Sequence, residues 1–167
     1  MNNIALIELL NSIEPLKYIK QNPKYHKFNV HQHSIICANQ FTDYKMKIVA
    51  LLHDIGKLTT TDDKLHAYKH EVDSELMARE ILTKLKYEHT ESVCRLVRYH
   101  MLLEHYVNSG ISDKGIRRFL RNYGDIYDDL KRLAIADISS DHPHSALELR
   151  KLKILTNRID IIRSEEL

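Results

Sequence analysis

The chain has 167 residues, of which 43% are hydrophobic and 29% charged. That is enough to bury roughly 70% of the unfolded surface in one core, and it excludes a disordered chain. Four Gly and three Pro are too few for a turn-rich all-β protein, and a net charge of +2 excludes a wholesale electrostatic wrap on nucleic acid while permitting a local basic patch. No run is long enough to cross a bilayer. The first apolar stretch, Ile4 to Leu10, is short, contains Glu8 and lacks a basic leader, so it does not read as a secretion signal.

Apolar spacing is helical almost throughout, and the expected fold is all-α: one domain over residues 1–167, with seven to nine helices. A first helix covers Ile4 to Leu10. Pro15 suits the first turn of a short second one through Ile19. A loop from Gln21 to Asn29 precedes a helix from Val30 to Phe41. Thr42 or Asp43 caps the next, Tyr44 to about Ile55, which stops near Gly56. The polar stretch Lys57 to Lys69 reads as loop, followed by helices His70–Lys86 and Thr90–Met101. After a loop around Gly110, Ser112 caps a helix ending at Gly124, and Asp125 caps another through Ile138. Ser145 and Glu148 form a capping box for the last helix, about 145–163. Cys37 and Cys94 fall inside helical patterns and read as small buried residues in a reducing cytoplasm.

The unusual count is 11 His. His53 and Asp54 are adjacent at the end of a very apolar helix. A carboxylate beside a buried stripe needs a partner, because burying it unpaired costs several kcal/mol. The same anomaly recurs on four other helices: His33 with Val30, Cys37 and Phe41; His70 with Ser74, Met77, Ile81 and Leu85; His100 with Val93, Leu96 and Val97; Asp137 with Leu130, Leu133 and Ala134. One such residue is ordinarily a core histidine satisfied by a backbone carbonyl. Five helices with the same feature point to a common polar centre, the way bundle cores hold metals.

These residues resemble the HD-domain phosphohydrolase superfamily, with LLHDIGK (51–57) as the most characteristic segment, His33 upstream and Asp137 downstream. The strings VHQHS, LLHDIGK, KHE, LVRYH, IRRFLRNYG and IAD, over roughly residues 26–140, are similar to the HD domain attached to bacterial tRNA nucleotidyltransferases. The resemblance implies His33, His53, Asp54 and Asp137 as metal ligands, with His70 and His100 as the two extra histidines of members that hold a second metal. It does not extend to a nucleotidyltransferase domain, so activity on tRNA ends is not implied.

Other histidines compete for the same roles. His31 stands about 200° around the helix from His33, so the two cannot chelate one ion; His31 reads as a supporting or surface residue. His66 and His70 have the spacing of a zinc helix, but position 67 is Ala, so the glutamate of that motif is missing. His66 reads as a loop residue near the opening, His142 and His144 as surface residues, and His105 as a weak pocket candidate. His26 and His89 have no supporting pattern.

Six ligands suit two divalent ions (Mn, Fe, Co, Ni or Zn) sharing Asp54 as a bridge. The expected chemistry is attack on phosphorus by a hydroxide bridging ions roughly 3.5–4 Å apart. Lys57 contacts a substrate phosphate, or else serves as a cation at a helix C-terminus. Lys114, Arg117, Arg118 and Arg121 form a basic face that is either a solvated surface or a phosphate-binding one extending the substrate to a short oligonucleotide. Tyr68 and Tyr99 are weaker candidates for stacking on a base. The expected function is hydrolysis of a nucleotide phosphomonoester or cyclic phosphodiester in the cytoplasm. The rivals are a diiron oxygenase similar to myo-inositol oxygenase and a non-catalytic nucleotide-binding module. The stripe Leu149, Leu152, Leu155, Ile159 and Ile162 reads as core or as the seam of a homodimer.

Overall fold

A computed structural model describes residues 3–165, and among them every regular element is helical. In chain order these are α1 (Asn3–Ile13), a 3₁₀ turn (Glu14–Tyr18), α2 (Val30–Ala38), α3 (Tyr44–Leu52), α4 (Lys57–Thr60), α5 (His70–Lys84), α6 (Thr90–Tyr99), α7 (Leu102–Ser109), α8 (Asp113–Tyr123), α9 (Tyr127–Asp141) and α10 (Ser145–Glu165). No described helix is long and apolar enough to cross a membrane.

The centre is built around α3. Its run Ile48-Val49-Ala50-Leu51-Leu52 is buried on every side, as an all-apolar helix must be. It packs against α2, α6 and α9, while α5 pairs with α6 and α9 also touches α2, α7 and α10. The polar ends of α2, α3, α5, α6 and α9 are therefore gathered around one point. The stripe of α10 belongs to this core: Leu152, Leu155, Ile159 and Ile162 are buried, so it is not a free seam.

Several boundaries differ from the sequence expectation for local reasons. Asp43, not Thr42, caps α3 by accepting from the Met46 N–H at 3.0 Å. The helix ends at Leu52, because the backbone tightens into i→i−3 bonds from Leu52 through Leu58. The Lys57–Lys69 segment holds one helical turn, α4, and a small hairpin closed by a Thr61–Ala67 bridge. A helix that the sequence reading did not assign, α7, fills the stretch between Met101 and Gly110. Asp125 does not cap α9, because its carboxylate is taken by Arg95. Glu148 does not complete a capping box, because Lys151 holds it at 2.8 Å.

Candidate metal centre

His33, His53, Asp54, His70, His100 and Asp137 come together, although 104 positions separate the first from the last (137 minus 33). They form two adjoining groups, His33–His53–Asp137 and Asp54–His70–His100, with the ligand atoms of each group within 4.8 Å of one another. His33, His53, Asp54, His70 and His100 are buried, and Asp137 is partly open to a cavity.

The imidazoles share a common mode of support. The Nδ1–H groups of His53, His70 and His100 donate to the carbonyls three residues back, Ala50 (2.7 Å), Ala67 (2.9 Å) and Val97 (2.7 Å). A carbonyl can only accept, so Nδ1 carries the proton and the Nε2 side faces inward. His33 Nε2 and His53 Nε2 lie 3.1 Å apart, and His70 Nε2 and His100 Nε2 lie 3.2 Å apart. Asp54 sits between the pairs. Its Oδ1 faces His70 (3.0 Å) and His100 (3.8 Å); its Oδ2 faces His53 (3.4 Å) and His33 (3.6 Å). Asp137 Oδ1 is 3.1 Å from His33 Nε2.

Gly56 makes this juxtaposition feasible. The turn after Asp54 lies directly on the start of α5, where Gly56 N–H donates to Ser74 Oγ at 2.8 Å. A Cβ at position 56 would stand 2.3 Å from the His70 carbonyl oxygen, so only glycine allows the approach.

Two partners had no periodic signal strong enough to single them out. Asp141 lies one turn beyond Asp137 on α9. It faces His33 Nδ1 at 3.1 Å, outside hydrogen-bond alignment, and receives His26 Nδ1 at 3.1 Å. His26 comes from a loop and has no pattern to read, whereas Asp141 continues the stripe of Asp137 at i+4. Such a carboxylate behind an imidazole fixes its orientation and raises its basicity as a ligand.

The charges are mutually compensating. Burial works to raise Asp54, but Lys57, His53 and His70 hold it well below the usual carboxylate range. Burial likewise opposes ionisation of Asp137, and the bond and charge of His33 win, with His53, leaving it low. Asp141 is drawn down to about 2 by His26 and His33 against its own burial. Burial lowers His33, yet the Asp137 and Asp141 contacts lift it to about 10. His70 is raised by Asp54 in the same way, while burial lowers His53 and takes His100, with His70 and His53 beside it, down to about 3. Two raised imidazoles thus sit among three carboxylates, two buried and one partly open, alongside two neutral imidazoles with inward Nε2 lone pairs. Four imidazole nitrogens and two carboxylates are a donor set that suits mid-row divalent metals.

A cavity of about 270 Å³ opens onto Asp54, Lys57, His70 and Asp137, with the exposed Tyr25 and Tyr68 at its rim. A smaller one, about 80 Å³, shares Tyr25, His26, Glu104 and Asp137 with it. Lys57 is buried and opens α4 instead of closing α3, so it is not a C-terminal cation. Its Nζ donates to Asp54 Oδ2 (2.7 Å) and Gln21 Oε1 (2.8 Å). Glu104, on the unforeseen α7, borders both cavities and is an exposed residue; the protein around its carboxyl and the Asp137 and Asp54 charges push it up to about 7, a shift that the surrounding water screens.

The remaining expected residues lie elsewhere. Lys114, Arg117, Arg118 and Arg121 line neither cavity; Arg117 contacts Glu165 at 3.4 Å, and Arg118 and Arg121 are exposed. Tyr99 packs on Tyr123, with ring centres 4.6 Å apart. His66 lines the larger opening, as its loop position suggests, and His142 the smaller. His105 lines neither, and His31 turns toward Glu14 (3.8 Å). No curated protein matches the chain. Residues 24–162 match the family model for the HD domain.

Proposed function

The chain belongs to the HD-domain family, and on that premise we propose that it is a metal-dependent phosphohydrolase acting on a nucleotide phosphomonoester or cyclic phosphodiester. The single observation carrying this reading is the position of Asp54, with one oxygen toward each imidazole pair. His33, His53, Asp54 and Asp137 would hold one divalent ion, and Asp54, His70 and His100 the other. Bound there, such ions supply Lewis acidity toward phosphoryl oxygens and lower the pKa of a coordinated water.

The chain's own groups do the rest. The backbone carbonyls of Ala50, Ala67 and Val97 hold three rings in register, so little reorganisation accompanies binding. Lys57 is held at the cavity floor by Asp54 and Gln21 and presents an ammonium to an anionic substrate. Lys20 adds a second cation to the cavity wall, and Tyr25 and Tyr68 offer aromatic faces to a base. The nucleotide preference also draws on the similarity of the strings between residues 26 and 140 to the HD domain of tRNA nucleotidyltransferases. Free Cys37 and Cys94, both buried, support a reducing compartment, which we read as the cytoplasm.

The test is phosphate release from a panel of 5′- and 3′-nucleoside monophosphates and 2′,3′- and 3′,5′-cyclic nucleotides, with Mn²⁺ and then with chelator. The reading expects turnover of one class that chelation abolishes. Undiminished turnover after metal removal, or oxygen uptake with iron and no phosphate release, contradicts it.

A further inference from the structure

We propose that the substrate is the end of a single-stranded nucleic acid, with the loop between the 3₁₀ turn and α2 holding the nucleotides that trail out of the cavity. The inference deepens the hydrolase reading above and rests on it for the bond that is cleaved.

A free nucleotide carries one base and one cluster of phosphate charge. The larger cavity already answers both, through Lys20, Lys57, Tyr25 and Tyr68. Outside it stand groups that such a ligand does not use. Lys24, Lys27 and Phe28 are exposed and line neither cavity. No Asp or Glu occurs between Glu14 and Asp43, whereas Lys17, Lys20, Lys24 and Lys27 all fall there. Lys17 is paired with Glu14, but Lys20, Lys24 and Lys27 make no ion pair with any described residue. Free cations interleaved with exposed rings suit a flexible phosphate backbone with unstacked bases, because every base has a face to stack on a ring. A net charge of only +2 over the whole chain makes this concentration local.

The loop is held in place before any ligand arrives. Val30 N–H donates to the Ile19 carbonyl at 3.2 Å and closes its base, and Lys27 N–H donates to the Asp141 carbonyl at 3.1 Å. Tyr25 N–H and His26 N–H both donate to the Asn22 carbonyl at 3.0 Å. Gln21 ties the loop to the buried centre. Its Oε1 accepts from Lys57 Nζ at 2.8 Å, and its Nε2 donates to the Phe28 carbonyl at 3.2 Å. One side chain therefore links the cavity floor to the outer ring. Lys24 Nζ lies 5.2 Å from the Tyr25 ring centre, so a charge and a stacking face adjoin at the rim. Groups ordered in advance add affinity at little entropic cost.

The test is fluorescence anisotropy of Mn²⁺-loaded protein with a labelled octadeoxyadenylate that lacks a terminal phosphate. Deoxyadenosine monophosphate and a blunt duplex of the same length serve as competitors. The octamer should bind at least about tenfold more tightly than either competitor. Lys24→Ala/Lys27→Ala alters exposed side chains and keeps every backbone bond of the loop. It should weaken octamer binding and make the slope of log affinity against log salt shallower by about 1.4, or 0.7 for each lysine removed. Phe28→Ala should weaken binding about 5–100-fold with the slope unchanged. An octamer bound no better than the monophosphate or the duplex, or a slope indifferent to the lysines, overturns the inference. So does binding to phosphatidylserine vesicles without binding to the octamer, which would make the loop a lipid-facing surface. Phosphate release separates the two readings: a 3′- or 5′-phosphorylated octamer should be turned over with higher kcat/KM than the matching monophosphate. Release from the monophosphate alone overturns this inference and leaves the hydrolase reading. Tight octamer binding with release from neither overturns the hydrolase reading and leaves the strand-binding loop.

Discussion

His33 Nε2 stands 3.1 Å from His53 Nε2, a separation at which two lone pairs repel unless a proton or a cation lies between them. His53 spends its Nδ1 proton on Ala50, so without metal the intervening proton belongs to His33, whose pKa of about 10 reflects the Asp137 and Asp141 contacts prevailing over burial. Metal entry must expel it.

Proton release follows from that competition. His33 is protonated at neutral pH in the metal-free protein, and Asp54 shifts His70 in the same direction. Binding should therefore discharge at least about one proton per chain at pH 7 and tighten as pH rises toward 9. Calorimetric titration with Mn²⁺ in buffers of different ionisation enthalpy measures both. A pH-independent affinity with no proton release would contradict the assignment of His33 and His70.

The metal-free protein should have a bounded window of stability. His33 is raised, so its contribution is complete below the unfolded value of about 6.5 and is lost as pH climbs through about 10. His100 is depressed, so it destabilises as pH falls below about 6.5 toward its folded value of about 3. Asp141 contributes above the unfolded value of about 3.9, and that contribution is lost as pH falls through about 2. Urea midpoints of chelator-treated protein between pH 4 and 10 should fall on both flanks, and metal should flatten the alkaline one.

Asp141 acts through His33. Asp141→Asn keeps the volume but weakens the negative charge behind the ring, and should cost about 10–100-fold in metal affinity. Competition with a fluorescent chelator measures it. Unchanged affinity would reduce Asp141 to a tether for His26.

Gly56 is a point of steric decision. Gly56→Ala forces Cβ against the His70 carbonyl and the Ser74 amide, 2.3 and 2.5 Å away, and must separate α5 from the Asp54 turn. A loss of about 1–3 kcal/mol in unfolding free energy is expected from such overpacking, with metal affinity falling alongside. Chemical denaturation of metal-free and metal-loaded protein gives both numbers.

The sequence made the helical stripes legible because α-helical spacing repeats, and a polar residue on an apolar stripe stands out. That spacing groups residues on α2, the α3 turn, α5, the end of α6 and α9, and they do converge. The basic face of α8 was equally visible in spacing, yet it lines neither cavity, because periodicity tells which residues share a face and not what that face meets. Gln21 and His26 lie in an irregular loop, and α7 follows α6 with only His100 and Met101 between them, so neither produced a separable signal. Asp125 and Glu148 do not cap the helices their positions suggest, because Arg95 and Lys151 compete for the same carboxylates.

The most direct measurement is metal stoichiometry by mass spectrometry after equilibrium dialysis against Mn²⁺, for the wild type and Asp54→Ala. The account predicts about two ions per chain in the wild type and none retained in Asp54→Ala, since both groups share that carboxylate. A wild type that retains no metal, or an Asp54→Ala chain that retains both ions, would contradict it.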